Sequence, residues 1–187
     1  MAIQNKQEDP YVQLARSTIE EYVQTGRTIR VPKDLPKEMY QDRAGVFVSI
    51  KIKGKNRGES KSALLLRGCI GTIQPVQDSI AEEIIQNAVS AAVKDPRFAP
   101  ITPEELDRLV ISVDVLGGME QVHSEEELDV KRYGVVVTKG YRRGLLLPNL
   151  EGVDTVEEQV AIARQKAGIG EMEEGVMLER FEVVRHI

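Results

Sequence analysis

The chain has 187 residues, 41% of them apolar and 29% charged, which is the balance of a globular protein of about one domain. Its 30 acidic residues outnumber its 25 Lys and Arg, and this net charge of -5 disfavours bulk nucleic acid or an anionic membrane as the main partner. One Cys and two His exclude an intramolecular disulfide and a Cys-rich zinc site, so we expect neither a metal nor a cofactor held by this chain. The sequence shows no membrane-spanning run and no signal-peptide core, which predicts a cytoplasmic protein.

Helix-starting signals occur at four places along the chain. Each combines a capping residue with a Pro at the first helical position or a Glu three positions on. The four are Asp9–Pro10, Ser79–Glu82, Thr102–Glu105 and Thr155–Glu158. Gly26 and Gly168 supply stops for the first and last of these helices, and Asp95–Pro96 ends the second.

Between the helices, apolar and polar residues alternate with the period of a strand that has one buried face. The predicted strands cover residues 46–52, 111–115, 135–138, 145–147 and a last one over 176–184. Residues 135–138 and 145–147 are predicted to form a hairpin. The polar, Gly-bearing stretch 53–62 is predicted to be a long hairpin loop within one domain.

The two halves of the chain follow the same plan. The run GVFVS at 45–49 is echoed by GVVVT at 134–138, and each is followed by a second strand, a Pro and a capped helix. We infer a degenerate strand–strand–helix repeat, the alternative being chance similarity of common elements. Hairpins separated by helices predict an α+β fold with a largely antiparallel sheet and packed helices.

The densest motif is LRGCIGT at 66–72, which holds the only Cys between two glycines. It is followed by DPRFAPIT at 95–102, RGLLLP at 143–148 and KAGI at 166–169. These motifs, in this order and covering nearly the whole chain, strongly resemble the AMMECR domain family, whose bacterial and archaeal members are called protein A of the AmmeMemoRadiSam system.

The resemblance implies a single AMMECR-type domain over residues 1–187, with a larger and a smaller lobe. It also implies an association with a radical S-adenosylmethionine (radical-SAM) enzyme and with a Memo-like protein. It does not imply a particular reaction, because the activity of the family is not established. A chain with one Cys cannot ligate an iron–sulfur cluster by itself, so any radical chemistry belongs to a partner.

Cys69 is the candidate catalytic nucleophile. If a strand continues through the motif, alternation places Arg67 and Cys69 on one face, where the guanidinium favours the thiolate. We assign Arg67, Gly68, Gly71 and Thr72 to a ligand-binding turn whose N–H groups hold an anion or an oxyanion. In the alternative interpretation the glycines form a bulge and Cys69 is a small buried apolar residue.

Asp95, Arg97 and Arg143 complete the predicted ligand-binding set. Arg97 would join Arg67 in holding the carboxylate or phosphate of an unknown small anionic ligand. The alternative for Asp95 and Arg97 is a structural role at the end of a helix, and for Arg143 a solvated turn. His123 and His186 are the only candidate histidine bases, and each is better interpreted as exposed or structural.

Three functions are compatible with these features. The first is an enzyme or enzyme subunit in a modification pathway, with Cys69 as nucleophile or ligand-contacting thiol in carbonyl or acyl-transfer chemistry. The second is a non-catalytic binding or adaptor module for a small anion or a partner protein. The third is nucleic-acid binding through a basic hairpin, which the acidic balance and 4% aromatic content oppose. The basic residues of this predicted hairpin are Lys51, Lys53, Lys55, Arg57 and Lys61.

Overall fold

The computed structural model describes residues 8–54 and 64–187, which form two compact units. The larger unit extends to Val115 and includes Arg185–Ile187, and the smaller one is Leu116–Val184. The helices are α1 (Pro10–Thr25), α2 (Lys37–Gln41), α3 (Ile80–Val93) and α4 (Val156–Ala167), with 3-10 helices at Pro103–Arg108 and Glu125–Glu127. The strands are β1 (Val46–Lys53), β2 (Leu64–Gly71), β3 (Leu109–Leu116), β4 (Glu120–Val122), β5 (Gly134–Lys139), β6 (Arg142–Leu146), β7 (Met177–Phe181) and β8 (Val183–His186).

Two four-stranded antiparallel sheets confirm the predicted fold class. One has the order β2-β1-β3-β8 and the other β4-β7-β5-β6. In the first, the buried face of β1 packs with α1 and α3, and its buried residues are Val46, Val48, Ile50 and Ile52. In the second, Val135 and Val137 of β5 pack with Val160 and Ala163 of α4. Each sheet thus has one face buried under helices.

The predicted helix caps are present. Asp9 accepts a hydrogen bond from the Tyr11 N–H, and Gly26 ends α1 with a left-handed φ of 73°. Ser79 caps α3 through the Glu82 N–H, and Thr155 forms a complete capping box with Glu158 at α4. The short helix after Thr102 is confirmed as a 3-10 helix with its own capping box.

The strand–strand–helix repeat is confirmed as β1-β2-α3 and β5-β6-α4. Matching glycines in the second strand of each copy let the helix backbone approach. A Cβ on Gly68 would lie 2.1 Å from the Ala91 carbonyl oxygen of α3, and one on Gly144 would lie 2.2 Å from the Ala163 carbonyl oxygen of α4. In both copies, therefore, a glycine in the second strand allows close packing of the strand against the helix.

A buried polar side chain four residues after the cap also recurs in both copies. Glu83 accepts hydrogen bonds from the Thr72 hydroxyl at 2.6 Å and from the N–H groups of Val76 and Gln77, each at 2.8 Å. Gln159, at the matching position of α4, donates from Nε2 to the Tyr133 carbonyl at 2.9 Å. Because both side chains are fully buried, these bonds satisfy polar groups of the neighbouring loops that have little access to water.

The C-terminal tail corrects one prediction. A single strand was expected over residues 176–184, but the tail forms two strands, β7 and β8, separated at Glu182. The physical reason is that β7 belongs to the second sheet while β8 joins the first, so the chain changes sheet partners there. Most of the predicted loop at 53–62 lies outside the described residues.

Candidate functional site: the thiol face of the first sheet

Cys69 lies on the face of the first sheet opposite α1 and α3. On β1 the buried face is taken by Val48 and Ile50, so Ser49 between them points to the other face. Strand register places Cys69 of β2 and Ser112 of β3 directly opposite Ser49 on its two sides. Directly opposed residues of antiparallel strands share a face. We call the face carrying these three residues the thiol face.

The half-buried Cys69 thiol is free, and its Sγ lies 3.1 Å from the Ser49 hydroxyl. The neighbouring row of the same face consists of Gly71, Phe47 and Asp114, in register across β2, β1 and β3. A Cβ on Gly71 would lie 2.2 Å from the Phe47 ring, so the glycine makes room for that ring in this row. A thiol, hydroxyls and an aromatic ring are thus gathered on one sheet surface.

Asp95 and Arg97 hold the backbone of Cys69 from the outer edge of β2. Asp95, 4% exposed, accepts the Cys69 N–H at 2.9 Å and pairs with Arg97 at 2.7 Å, while Arg97 Nη2 donates to the Cys69 carbonyl at 3.3 Å. The Arg97 guanidinium, helped by the Cys69 N–H, holds the pKa of Asp95 well below its usual range. Asp95 and Arg97 therefore lie beside Cys69 and have the structural role given as the alternative, while their ligand-binding roles stay predictions.

Arg67 does not share the surroundings of Cys69. The register between β1 and β2 shifts so that Ile50 opposes Gly68 while Lys51 opposes Leu66, which leaves Arg67 as the extra residue of a β-bulge. Its guanidinium pairs with Glu105 at 2.8 and 2.9 Å. The expected alternation from Arg67 to Cys69 is wrong because the bulge interrupts it.

The rest of the motif is extended strand rather than a turn. Neither Gly68 nor Gly71 has a positive φ; Gly68 packs against α3 and Gly71 against Phe47. Thr72 donates its hydroxyl to the buried Glu83. The bulge given as the alternative interpretation is present, next to Gly68, and the N–H of Cys69 is directed to Asp95. The ligand-binding roles assigned to these residues stay predictions.

Arg143 lies on β6 in the smaller unit. It pairs with Glu179 of β7 at 3.0 Å, and its buried Nε has no hydrogen-bond partner in the described part of the chain. Its assignment to the ligand stays a prediction. Of the basic hairpin, Lys51 and Lys53 are exposed on β1, whereas Lys55, Arg57 and Lys61 lie outside the described residues.

Neither histidine contacts the thiol. His186 stacks on Tyr11 with ring centroids 3.8 Å apart, and its Nδ1 lies 3.0 Å from an Asp9 carboxylate oxygen. His123 is exposed in the smaller unit. The interpretation of His186 as structural and of His123 as exposed agrees with these positions. Within residues 8–54 and 64–187, no group of three or more His, Cys, Asp or Glu is placed to hold a metal ion.

Arg185 is a member of the thiol face that the sequence did not reveal. It lies on β8 and forms a two-point ion pair with the 1% exposed Asp114, at 2.7 and 3.0 Å. The hydrogen bond to Asp114 raises the pKa of Arg185. No local motif marks Arg185, whereas Ser49, Ser112 and Asp114 are recognisable as polar residues within otherwise apolar strands.

Comparison with known proteins decides the family. The model of the family described as AMMECR1 matches residues 12–186. The chain belongs to the AMMECR1 family. A protein of Thermotoga maritima is 49% identical over 179 residues, which are 96% of this chain and 98% of that one. This confirms the resemblance carried by the four sequence motifs, and the AMMECR1 match includes Arg185.

A solved structure supports the fold of this AMMECR1 chain. The uncharacterized protein PH0010 of Pyrococcus horikoshii has a TM-score of 0.81 and 36% identity, over 94% of this chain and 88% of that one. Protein CA_C1420 of Clostridium acetobutylicum is 50% identical over 97% of this chain, which spans only 36% of the length of that relative. The AMMECR1 region is thus part of a much longer polypeptide there. None of these relatives carries a name that states an activity.

Among the described residues, no helix of this AMMECR1 protein is long and apolar enough to cross a bilayer.

Proposed function

We propose that this AMMECR1 protein is an enzyme or enzyme subunit in which the Cys69 thiol reacts with, or contacts, a small substrate. The observation that carries the proposal is the position of Sγ: half-buried on a polar sheet surface and 3.1 Å from the Ser49 hydroxyl. Its backbone is held on the outer edge of β2 by Asp95 and Arg97. A purely structural cysteine usually packs among apolar side chains instead.

Acyl transfer is the reaction class that suits this surface. The Cys69 sulfur would donate an electron pair to a carbonyl carbon, forming a C–S bond while the C=O π pair moves to oxygen. Collapse of that adduct re-forms the carbonyl and expels the leaving group with its bonding pair. The leaving group takes up a proton equivalent to the one lost by the thiol, so a thioester and the protonated leaving group are the products. Arg67, whose Nε, Nη1 and Nη2 all donate to Glu105 or to the carbonyls of Ala99 and Pro100, would position β2 rather than touch the substrate.

The place of this protein in a pathway rests on the family resemblance. We propose that it acts in the cytoplasm, where a free thiol stays reduced, with a radical-SAM enzyme and a Memo-like protein as partners. The length of the Clostridium acetobutylicum relative supports a partnered role, because there the same region belongs to a longer chain.

A binding module is the second candidate, and one observation favours it. In the described part of the chain, no histidine or free carboxylate contacts Sγ; the nearby Asp95 and Asp114 are each held by an arginine. A thiol without a general base can serve as a ligand contact without turnover. Cys69 would then help to shape a surface for a small anion or a partner protein.

Reaction with p-nitrophenyl acetate separates the two candidates. The enzyme proposal predicts a stoichiometric burst of p-nitrophenolate and one acetyl group on Cys69, found by intact mass after acid quenching. We expect the burst to be about ten-fold faster than in the urea-unfolded chain, because a folded site orients the thiol and the carbonyl. Cys69→Ser should abolish it. A burst no faster than that of the unfolded chain would contradict the enzyme proposal and leave the binding module.

A further inference from the structure

Three arginines lie around β2 and the thiol face, and they differ in which N–H groups remain free. Arg67 donates from Nε and Nη2 to Glu105, and from Nη1 to the carbonyl of Ala99. Arg97 and Arg185 use only Nε and Nη2 in their ion pairs. Within residues 8–54 and 64–187, neither Nη1 has a hydrogen-bond partner. Each of these two arginines therefore keeps donors for another acceptor.

Buried carboxylates fix both of these guanidiniums. Asp95 and Asp114 are 4% and 1% exposed, whereas the side chains of Arg97 and Arg185 are 55% and 41% exposed. A two-point bond to a buried carboxylate restricts the rotation of an arginine and leaves the rest of its planar fork oriented. Less conformational entropy is then lost when such an arginine binds an anion.

The two arginines approach the row of Cys69 and Ser49 from opposite edges of the first sheet, Arg97 from outside β2 and Arg185 from β8. Arg97 donates to the Cys69 carbonyl, and Arg185 is bonded to Asp114, which lies in the row next to Cys69 and Ser49 on the thiol face. Hydrogen bonds to Asp95 and Asp114 raise the pKa values of Arg97 and Arg185, so both guanidiniums are charged at neutral pH.

We propose that Arg97 and Arg185 bind an oxyanion, a carboxylate or a phosphate, on the substrate that reacts at Cys69. The two arginines have different capacities. Arg185 keeps both N–H bonds of Nη1 and one of Nη2, so it can hold two oxygens at once. Nη2 of Arg97 already donates to Asp95 and to the Cys69 carbonyl, so the two N–H bonds of Nη1 are the donors that remain. The inference rests on the proposed function and names its substrate class.

The test compares two alkylating reagents that differ only in charge. Iodoacetate carries a carboxylate where iodoacetamide carries a neutral amide, so the ratio of their rates cancels the intrinsic reactivity of the thiol. In the native protein we expect the iodoacetate-to-iodoacetamide ratio to exceed that of the urea-unfolded chain by about ten-fold, because two oriented guanidiniums attract the carboxylate. Cys69 is the only Cys, so the modified residue needs no mapping.

Substitutions at Arg185 and Asp114 test whether these residues cause the higher ratio. Arg185→Lys keeps the charge but loses the two-point fork, and it should lower the ratio several-fold. The double variant Asp114→Asn/Arg185→Gln removes both members of the buried pair and should bring the ratio close to that of the unfolded chain. Arg16→Gln is the matched control: Arg16 pairs with Glu8 at 2.8 Å and lies on α1, so the ratio should stay unchanged.

Protection experiments separate the two oxyanions. Stronger slowing of iodoacetamide by inorganic phosphate than by acetate would assign a phosphate, and the reverse order a carboxylate. A native ratio equal to that of the unfolded chain, or one that the double variant leaves unchanged, would overturn the proposal. Failure of the proposed function has a different result. In that case both reagents react slowly with the native protein, while the ratio of their rates can still be measured.

Discussion

Gly68→Ala is expected to destabilise the larger unit by about 3 kcal/mol or more. The added Cβ would lie 2.1 Å from the Ala91 carbonyl oxygen, which belongs to the backbone of α3 and cannot rotate away as a side chain can. Either α3 must move off the sheet or β2 must move outward, and both lose packing in the core. Urea unfolding followed by circular dichroism measures the loss, since the chain has no Trp for fluorescence.

Two further glycines provide comparisons. Gly144→Ala should be similarly costly in the smaller unit, because its Cβ would lie 2.2 Å from the Ala163 carbonyl oxygen. Gly118→Ala is the control: a Cβ there meets nothing within 4 Å and its φ is not positive, so the change should be within about 0.5 kcal/mol. Equal stabilities of the Gly68→Ala and Gly118→Ala variants would refute the close packing of β2 on α3.

Asp95→Asn is expected to cost about 2–4 kcal/mol at pH 7. The substitution keeps the shape of the side chain but replaces the carboxylate that accepts hydrogen bonds from the Cys69 N–H and from Arg97 with a neutral amide. It also leaves the Arg97 guanidinium without a negatively charged partner. The free energy of unfolding from urea titrations at pH 7 checks this, with the exposed Asp107→Asn expected to change it by less than about 0.5 kcal/mol.

The cost of Asp95→Asn should depend on pH. Folding lowers the pKa of Asp95, chiefly through its hydrogen bond to Arg97. The Asp95 carboxylate therefore stabilises the folded chain fully at pH values above about 3.9, its pKa in the unfolded chain. This contribution is lost as the pH falls toward the lower pKa that Asp95 has in the folded chain. The gap in stability between the wild type and Asp95→Asn should narrow from pH 5 downward, by about 1.4 kcal/mol for each pH unit at its steepest. A gap that stays constant between pH 5 and pH 2.5 would show that the charge of Asp95 contributes nothing.

Much of the fold could be predicted because its signals are local. Capping residues at Asp9, Ser79 and Thr155 act within one helical turn, so sequence alone places the starts of the three longest helices. The repeat could also be inferred, since both copies preserve the order of strand, strand and capped helix. The short helix α2 and the three-residue strand β4 were not predicted, because elements of that length have too little periodicity.

The candidate site could be predicted only in part, because several of its members meet through distant pairings. Arg185 and Asp114 are 71 residues apart, and no local pattern connects them. The bulge at Arg67 depends on how β2 pairs with β1, which alternation within β2 alone does not reveal. By contrast, Cys69, Asp95 and Arg97 lie in motifs that the sequence singles out, and the structure brings them together.

The central claim is that the thiol face makes Cys69 a reactive group, and its rate of alkylation by iodoacetamide at pH 7 tests this most directly. Native and urea-unfolded chains are compared, and loss of the single free thiol reports the rate. We predict that the native chain reacts at least about ten-fold faster, since the Ser49 hydroxyl 3.1 Å from Sγ and the fixed backbone of Cys69 hold the sulfur in one orientation on an accessible surface. A native rate below the unfolded rate would show that Cys69 only packs, which would contradict the claim.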